Sequence, residues 1–207
     1  VTDIDRRLYA PAAARNRDAI LAVLRDHLPA RGLVLELASG SGEHLAHFAA
    51  QLPDLVFQPS DPDDAARASI DAWAVATGAA NLRPALTLDA TAADWPIAAA
   101  DAVLCINMIH IAPWRAAEGL IAGAARILPA GGLLYLYGPF KRAAAHTAPS
   151  NQAFDASLRA QNAAWGVRDL DAVGALAAAA GFAAPQIVEM PANNLSLIFG
   201  RTSYAGT

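Results

Sequence analysis

Leu33-Val34-Leu35-Glu36-Leu37-Ala38-Ser39-Gly40-Ser41-Gly42-Glu43-His44 is the stretch on which the fold turns. It opens as a short apolar run, breaks at Gly40 and Gly42, and resumes at Leu45, Phe48, Ala49 and Leu52 with helical spacing. The unit reads strand, glycine loop, helix. Glycine lets the backbone turn tightly and approach a ligand that a side chain would hold off. By itself such a loop is weakly specific. The dinucleotide pattern G-x-G-x-x-G fails here, because Leu45 stands where its third glycine belongs, and a nicotinamide-dependent oxidoreductase is disfavoured.

Upstream, Ile20, Leu21, Val23, Leu24 and Leu28 mark a helix from about Pro11 that ends at Pro29 and Gly32. Downstream, Leu55 to Gln58 reads as a second strand ending at Asp61, followed by a helix over 65–77 with Ile70 and Trp73 on its apolar side. Leu86-Thr87-Leu88 reads as a third strand ending at Asp89, and 102–107 as a fourth. A helix over 114–128 and a fifth strand over 133–137 follow. This alternation favours parallel pairing with helices on both faces of one sheet, because right-handed crossovers place them there. Regularity then lapses: 138–169 reads as an insertion serving as a lid, with a helix over 152–161. A helix over 170–180 precedes two closing strands, 186–189 and 195–199, joined by the turn Pro191-Ala192-Asn193-Asn194. That pair reads as a hairpin. No repeat or domain boundary interrupts 1–207, so one domain is expected.

Open α/β sheets bind ligands in the crevice outside the carboxyl ends of their strands. The residues falling there are the loop Glu36, Ala38, Ser39, Gly40, Gly42 and His44, then Asp61, Asp89 with Ala90, and Asn107. Asp61, at the end of the second strand, is placed to accept both hydroxyls of a ribose, and Asp89 with its neighbouring backbone amides to meet an adenine edge. The plainer alternative for Asp61 and Asp89 is turn formation or helix capping before Pro62 and Thr91.

Composition narrows the partners. The 207 residues carry 15 Lys and Arg against 19 Asp and Glu, with no basic run to track a phosphate backbone, so nucleic acid is not expected. Apolar stretches are too short for a membrane span. Val1 to Arg7 lack the apolar segment of a signal peptide, and a cytoplasmic location is expected. Cys105 lies in an apolar strand and reads as buried rather than reactive. His44 and His47 sit one helical turn apart without a third ligand at a motif spacing, so no metal is expected.

Several stretches carry a resemblance: Ala14-Arg15-Asn16-Arg17, Leu35 to Gly42, Gln58-Pro59-Ser60-Asp61, Cys105-Ile106-Asn107-Met108-Ile109-His110, Trp165-Gly166-Val167-Arg168-Asp169 and Glu189-Met190-Pro191-Ala192-Asn193-Asn194. With these the chain resembles the methyltransferase-like 26 family over nearly its whole length. The resemblance implies a Rossmann-like, three-layer α/β class I methyltransferase fold, with a seven-stranded, mostly parallel sheet whose last strand is antiparallel. It also implies S-adenosylmethionine as methyl donor, but no particular acceptor. The segment Lys141 to Thr147 departs from the Asn-Gly-containing loop of that pattern.

On this reading Arg15 and Asn16, at the start of the first helix, join the cofactor residues, Arg15 pairing with a carboxylate. His110, just past the fourth strand, and Tyr137, at the end of the fifth, are the catalytic candidates, His110 as base; a structural hydrogen bond is the alternative for His110. Tyr9, Trp114, Asn151, Asn193 and Asn194 are candidates to orient substrate, while Trp114, Phe140, Phe154 and Trp165 serve equally as packing. The expected partner is a small-molecule acceptor with an N, O or S nucleophile, a homodimer remaining open. The rival is a cofactor-binding protein without catalysis that acts through another protein.

Overall fold

A computed structural model describes residues 5–203. Val1 to Ile4, part of the stretch read for a leader, lie outside the described residues. Among the described residues no helix is long and apolar enough to cross a membrane.

The central sheet is built from β1 (Gly32–Leu37), β2 (Leu55–Ser60), β3 (Ala102–Ile106), β4 (Leu133–Gly138), β8 (Gln186–Met190) and β9 (Asn194–Gly200), in the order β2-β1-β3-β4-β9-β8. Its first four strands are mutually parallel, and β9 runs antiparallel to β4 and β8. Side chains alternate across the pleat and divide the core in two. Leu35, Leu37, Val103, Leu134, Leu136 and Phe199 face α4 (Trp114–Ile127) and α6 (Leu170–Ala179). Val34, Phe57, Leu104, Tyr135 and Ile198 face α1 (Pro11–His27) and α2 (Glu43–Gln51), with α3 (Asp64–Thr77) packing by Trp73 and Ala74 at that side's edge.

The expected seven-stranded sheet is corrected to six strands, because Leu86-Thr87-Leu88 does not form a regular strand. The chain does run beside β2, bridging Phe57 to Leu82 and Ser60 to Leu86. Those bridges are three residues apart on β2 and four apart on the partner, so the register slips by one. The prolines explain it. Pro59 has no N–H to carry the ladder forward, and the Pro84 carbonyl is taken instead by the Gln58 side chain at 2.8 Å.

The insertion holds a second sheet that the sequence pattern did not announce. β5 (Phe140–Arg142) pairs with β6 (Ala145–His146) as a hairpin and with β7 (Arg168–Asp169) in parallel. Between β6 and β7 lies α5 (Pro149–Gln161). One carboxylate binds these pieces together: Asp155 meets Lys141 Nζ at 3.0 Å, Arg159 Nε at 3.2 Å, His146 Nε2 at 3.3 Å and the Val167 amide at 2.7 Å. Burial opposes its ionisation, but Lys141, the Val167 amide and Arg159 hold the carboxyl below its ordinary range.

Candidate functional site

The glycine loop forms as expected, and its curvature is carried by three left-handed residues: Ala38 at φ 54°, Gly40 at 56° and Gly42 at 88°. Gly42 is obligatory on two counts. Its φ suits glycine, and a Cβ there would come within 2.7 Å of the Ile70 backbone, where α3 crosses the loop. Asp61, nearly buried, accepts from the Gly40 amide at 3.0 Å with one oxygen and from the Asp63 amide at 3.0 Å with the other. It therefore closes a turn and also ties the end of β2 to the glycine loop. Ser39 continues this stitching, its hydroxyl accepting from the Ser60 amide at 3.2 Å.

Beneath the loop, Glu36 is buried and its Oε2 has no hydrogen-bond partner. Burial raises its pKa to about 7; a hydrogen bond from Ser39 works against this and the Asp61 charge adds to it. Neighbouring Cys105 is buried as expected, its thiol pushed up to about 12 chiefly by burial.

Two clefts flank the carboxyl edge of the parallel strands. The first, about 350 Å³, is walled by Leu37 and Ala38, by Asp61, by Leu88, Asp89 and Ala90, and on the other side by Met108, Ile111, Ala112, Pro113, Arg115 and Ala116. Asp89 is exposed in it and accepts from both the amide and the hydroxyl of Thr91 at 2.8 Å, so the turn-forming role expected as the alternative is present. Met108, Ile111 and Arg115 in this wall were not anticipated. Met108 and Ile111 lie in and at the end of a 3-10 turn too short to carry a periodic signal, and Arg115 lies in the first turn of α4.

The second cleft, about 560 Å³, brings together Asn16 and Asn107, expected at the cofactor, Tyr137, expected as catalytic, and Asn151, Asn193 and Asn194, expected at the substrate. Apolar Ala12, Pro139 and Phe154 complete its walls. Asn107 sits in the left-handed region at φ 65°, and the chain turns there so that Asn107 lines the second cleft and Met108 the first. A chain of contacts then reaches back to the glycine loop. His44 bonds Asn16 Oδ1 at 2.8 Å, and the side chains of Asn16 and Asn194 lie close enough to the Tyr137 hydroxyl to favour its ionised form, against its burial. Burial chiefly lowers the His44 pKa to about 4 and raises that of Tyr137, so both are neutral near pH 7. A neutral His44 must donate its Nε2–H to the Asn16 oxygen.

Four of the expected residues do not line either cleft. His110 lines neither cleft: it is fully buried, edge-on to Phe140 at 4.9 Å, and accepts the Arg168 amide at Nδ1. Burial first, then Arg168, lowers its pKa to about 3, and its Nε2 has no partner. It packs against Gly138, where a Cβ would lie 2.4 Å from that nitrogen, so it joins the strand edge to the insertion. Trp114 lines a different cleft, with Lys141, Arg159 and Arg168. Tyr9 is 61% exposed and stacks edge-on with Trp73. Arg15 is exposed on α1 and lines neither cleft, although Asn16 beside it lines the second.

The fold is shared with solved structures. An O-methyltransferase family protein from Burkholderia thailandensis superposes with a TM-score of 0.79 at 21% identity, covering 93% of this chain and 58% of that one. Human N-acetylserotonin methyltransferase, solved with SAM, gives 0.76 at 13% identity, covering 93% and 53%. The YcgJ protein of Bacillus subtilis gives 0.66 at 16%, covering 84% and 70%. The chain thus spans a little over half the length of the first two. At these identities the likeness establishes an α/β methyltransferase fold. The model of the family described as Protein of unknown function (DUF938) matches residues 7–201, and the chain belongs to that family.

Proposed function

We propose that the chain binds S-adenosylmethionine across the first cleft and the glycine loop and transfers its methyl group to a small molecule held in the second cleft. The observation that carries this reading is the Asp61–Gly40 bond, which sets a carboxylate and a left-handed glycine loop beside the first cleft. The solved structures of the same fold that are named as methyltransferases support it, and so does the resemblance to the methyltransferase-like 26 family. The residues present also fit the donor: the orphaned Oε2 of Glu36 lacks a positive partner, which the ammonium group of such a cofactor would supply.

S-adenosylmethionine, when bound, supplies an electrophilic methyl carbon on a sulfonium. Asp61, Asp89 and the Ala90 segment would hold its nucleoside end, and the 36–44 loop its amino-acid end. Asn107 and Tyr137 would present the acceptor. Among the described residues lining the second cleft there is no carboxylate or imidazole. Alignment of the reacting groups therefore supplies the rate, a contribution that can reach several kcal/mol without a general base. A second reading, binding without turnover, draws on the withdrawal of His110 from the cleft.

Calorimetric titration with S-adenosylmethionine and S-adenosylhomocysteine tests the site. Asp61→Ala removes two charge-assisted bonds that shape the loop and should weaken binding by about a hundredfold. Undiminished affinity would reject the assignment, and transfer of the methyl group to any acceptor would eliminate the second reading.

A further inference from the structure

We infer that the second cleft selects an uncharged acceptor that donates a hydrogen bond, and that Asn151 Oδ1 is the atom that receives it. The inference rests on reading this cleft as the acceptor site.

The first half follows from charge. The second cleft is lined by carboxamides, a serine, a tyrosine and apolar residues, without a Lys, Arg, His, Asp or Glu among the described residues. Its one titratable side chain, Tyr137, is kept protonated by burial. A carboxylate, phosphate or ammonium entering such a cleft would surrender hydration without meeting a countercharge, which is a large loss.

The second half follows from how Asn151 is held. The residue is 4% exposed, and its Nδ2 donates to Thr147 Oγ1 at 3.0 Å and to the Asn193 carbonyl at 2.9 Å. Both amide hydrogens are therefore committed. The amide cannot be turned over, because that would set its oxygen against the Asn193 carbonyl, acceptor against acceptor. The oxygen that remains is not among the buried atoms lacking a partner, and it belongs to a residue of the cleft wall. An atom that can only accept selects a ligand that donates: a neutral hydroxyl or N–H. A site built to pair with such a donor discriminates strongly against analogues lacking it.

Saturation-transfer NMR on the full chain, with and without saturating S-adenosylhomocysteine, tests this with four probes: resorcinol, its dimethyl ether 1,3-dimethoxybenzene, 3-hydroxybenzoate and 3-(aminomethyl)phenol. Resorcinol should bind about tenfold more tightly than the ether, the scale of one net hydrogen bond, and by at least as much over the two charged probes. Asn151→Leu should bring the ratio of resorcinol to ether near one. Thr147→Val, at an exposed position, frees one amide hydrogen of Asn151 and should lower the ratio with cofactor-product affinity unchanged. Equal or tighter binding of the ether or a charged probe, a ratio unmoved in both variants, or no binding of any probe at millimolar concentration would overturn the inference. Calorimetry with S-adenosylhomocysteine reports separately on the methyl-transfer reading. If that ligand fails to bind while the probe order holds, the cofactor assignment falls and the selectivity of the cleft stands.

Discussion

Glu36→Gln should flatten the pH dependence of stability. In the folded chain the Glu36 carboxyl is buried with Oε2 unpaired, and its pKa rises from 4.5 to about 7. A raised folded value means that the native state holds the proton more firmly than the unfolded chain. The stabilising contribution is thus complete below the unfolded value and is lost as pH rises through the folded one. Each pKa unit corresponds to about 1.4 kcal/mol, so the full shift bounds the effect at roughly 3 kcal/mol, most of it falling between about pH 5 and about pH 8. Glutamine has a similar shape and cannot ionise. Any constant cost of burying its amide is the same at both pH values and cancels in the comparison. Urea titrations at the two pH values should show the wild type losing roughly 2 to 3 kcal/mol relative to the variant on going to the higher pH. Equal pH slopes in the two proteins would refute the reasoning and place the Glu36 carboxylate in contact with an unrecognised donor or with water. In the methyl-transfer reading, an arriving ammonium would also draw the proton off Glu36. Binding enthalpies measured near neutral pH should then vary with the ionisation enthalpy of the buffer.

Other outcomes follow from particular contacts. Gly42→Ala combines a left-handed backbone with a collision against Ile70, and should cost about 2 kcal/mol or more in chemical denaturation while weakening cofactor-product binding; an unchanged midpoint would contradict the loop geometry. Ala143 and Ala144 both occupy the left-handed region at the β5–β6 tip, φ 48° and 63°, so the double change to Asn-Gly should raise stability by about 1 kcal/mol, seen as a higher melting temperature. Loss of stability there would mean that the tip does not adopt this turn. His110 is neutral far below pH 7 because burial depresses its pKa, so its contribution to the fold is complete above the ordinary value of 6.5 and is lost progressively as pH falls from there to about 3. His110→Ala should destabilise by about 3 kcal/mol and leave the shape of any pH–rate profile between about pH 6 and pH 8 unchanged; a lost inflection would restore it as a base.

The same turn chemistry shows what sequence reading reaches. The alternation of apolar runs placed β1 to β4, their helices and the closing hairpin correctly, because each buries a face and so must show its period. It failed at Leu86 to Leu88, where the apolar pattern suits a strand but Pro59 and Pro84 break the ladder. It missed the sheet of β5, β6 and β7, whose strands of two or three residues are too short to carry a period. The unexpected Lys141 to Thr147 segment nonetheless forms a hairpin, with Ala143-Ala144 holding the two left-handed positions that Asn-Gly would occupy with less strain. The main-chain pairing of the surrounding insertion, pinned at Asp155, therefore imposes the turn over the preference of its residues.

For the site, residues at strand ends were legible because topology alone delivers them to one edge. Side-chain direction was not. Trp114 and His110 follow β3 closely in sequence, yet one faces a separate cleft and the other the core. The deciding event is the backbone at Asn107, whose left-handed conformation ends β3 and starts the 3-10 turn. From there Met108 enters the wall of the first cleft, while His110 is carried behind the sheet edge onto Phe140 and Gly138. Asparagine tolerates this conformation better than most residues, and its side chain stays in the second cleft. A single residue thus sets the division between the two clefts and takes part in one of them. It also removes the His110 imidazole from the place where a base would be sought, which leaves the geometry of the carboxamides as the means by which an acceptor would be chosen and aligned.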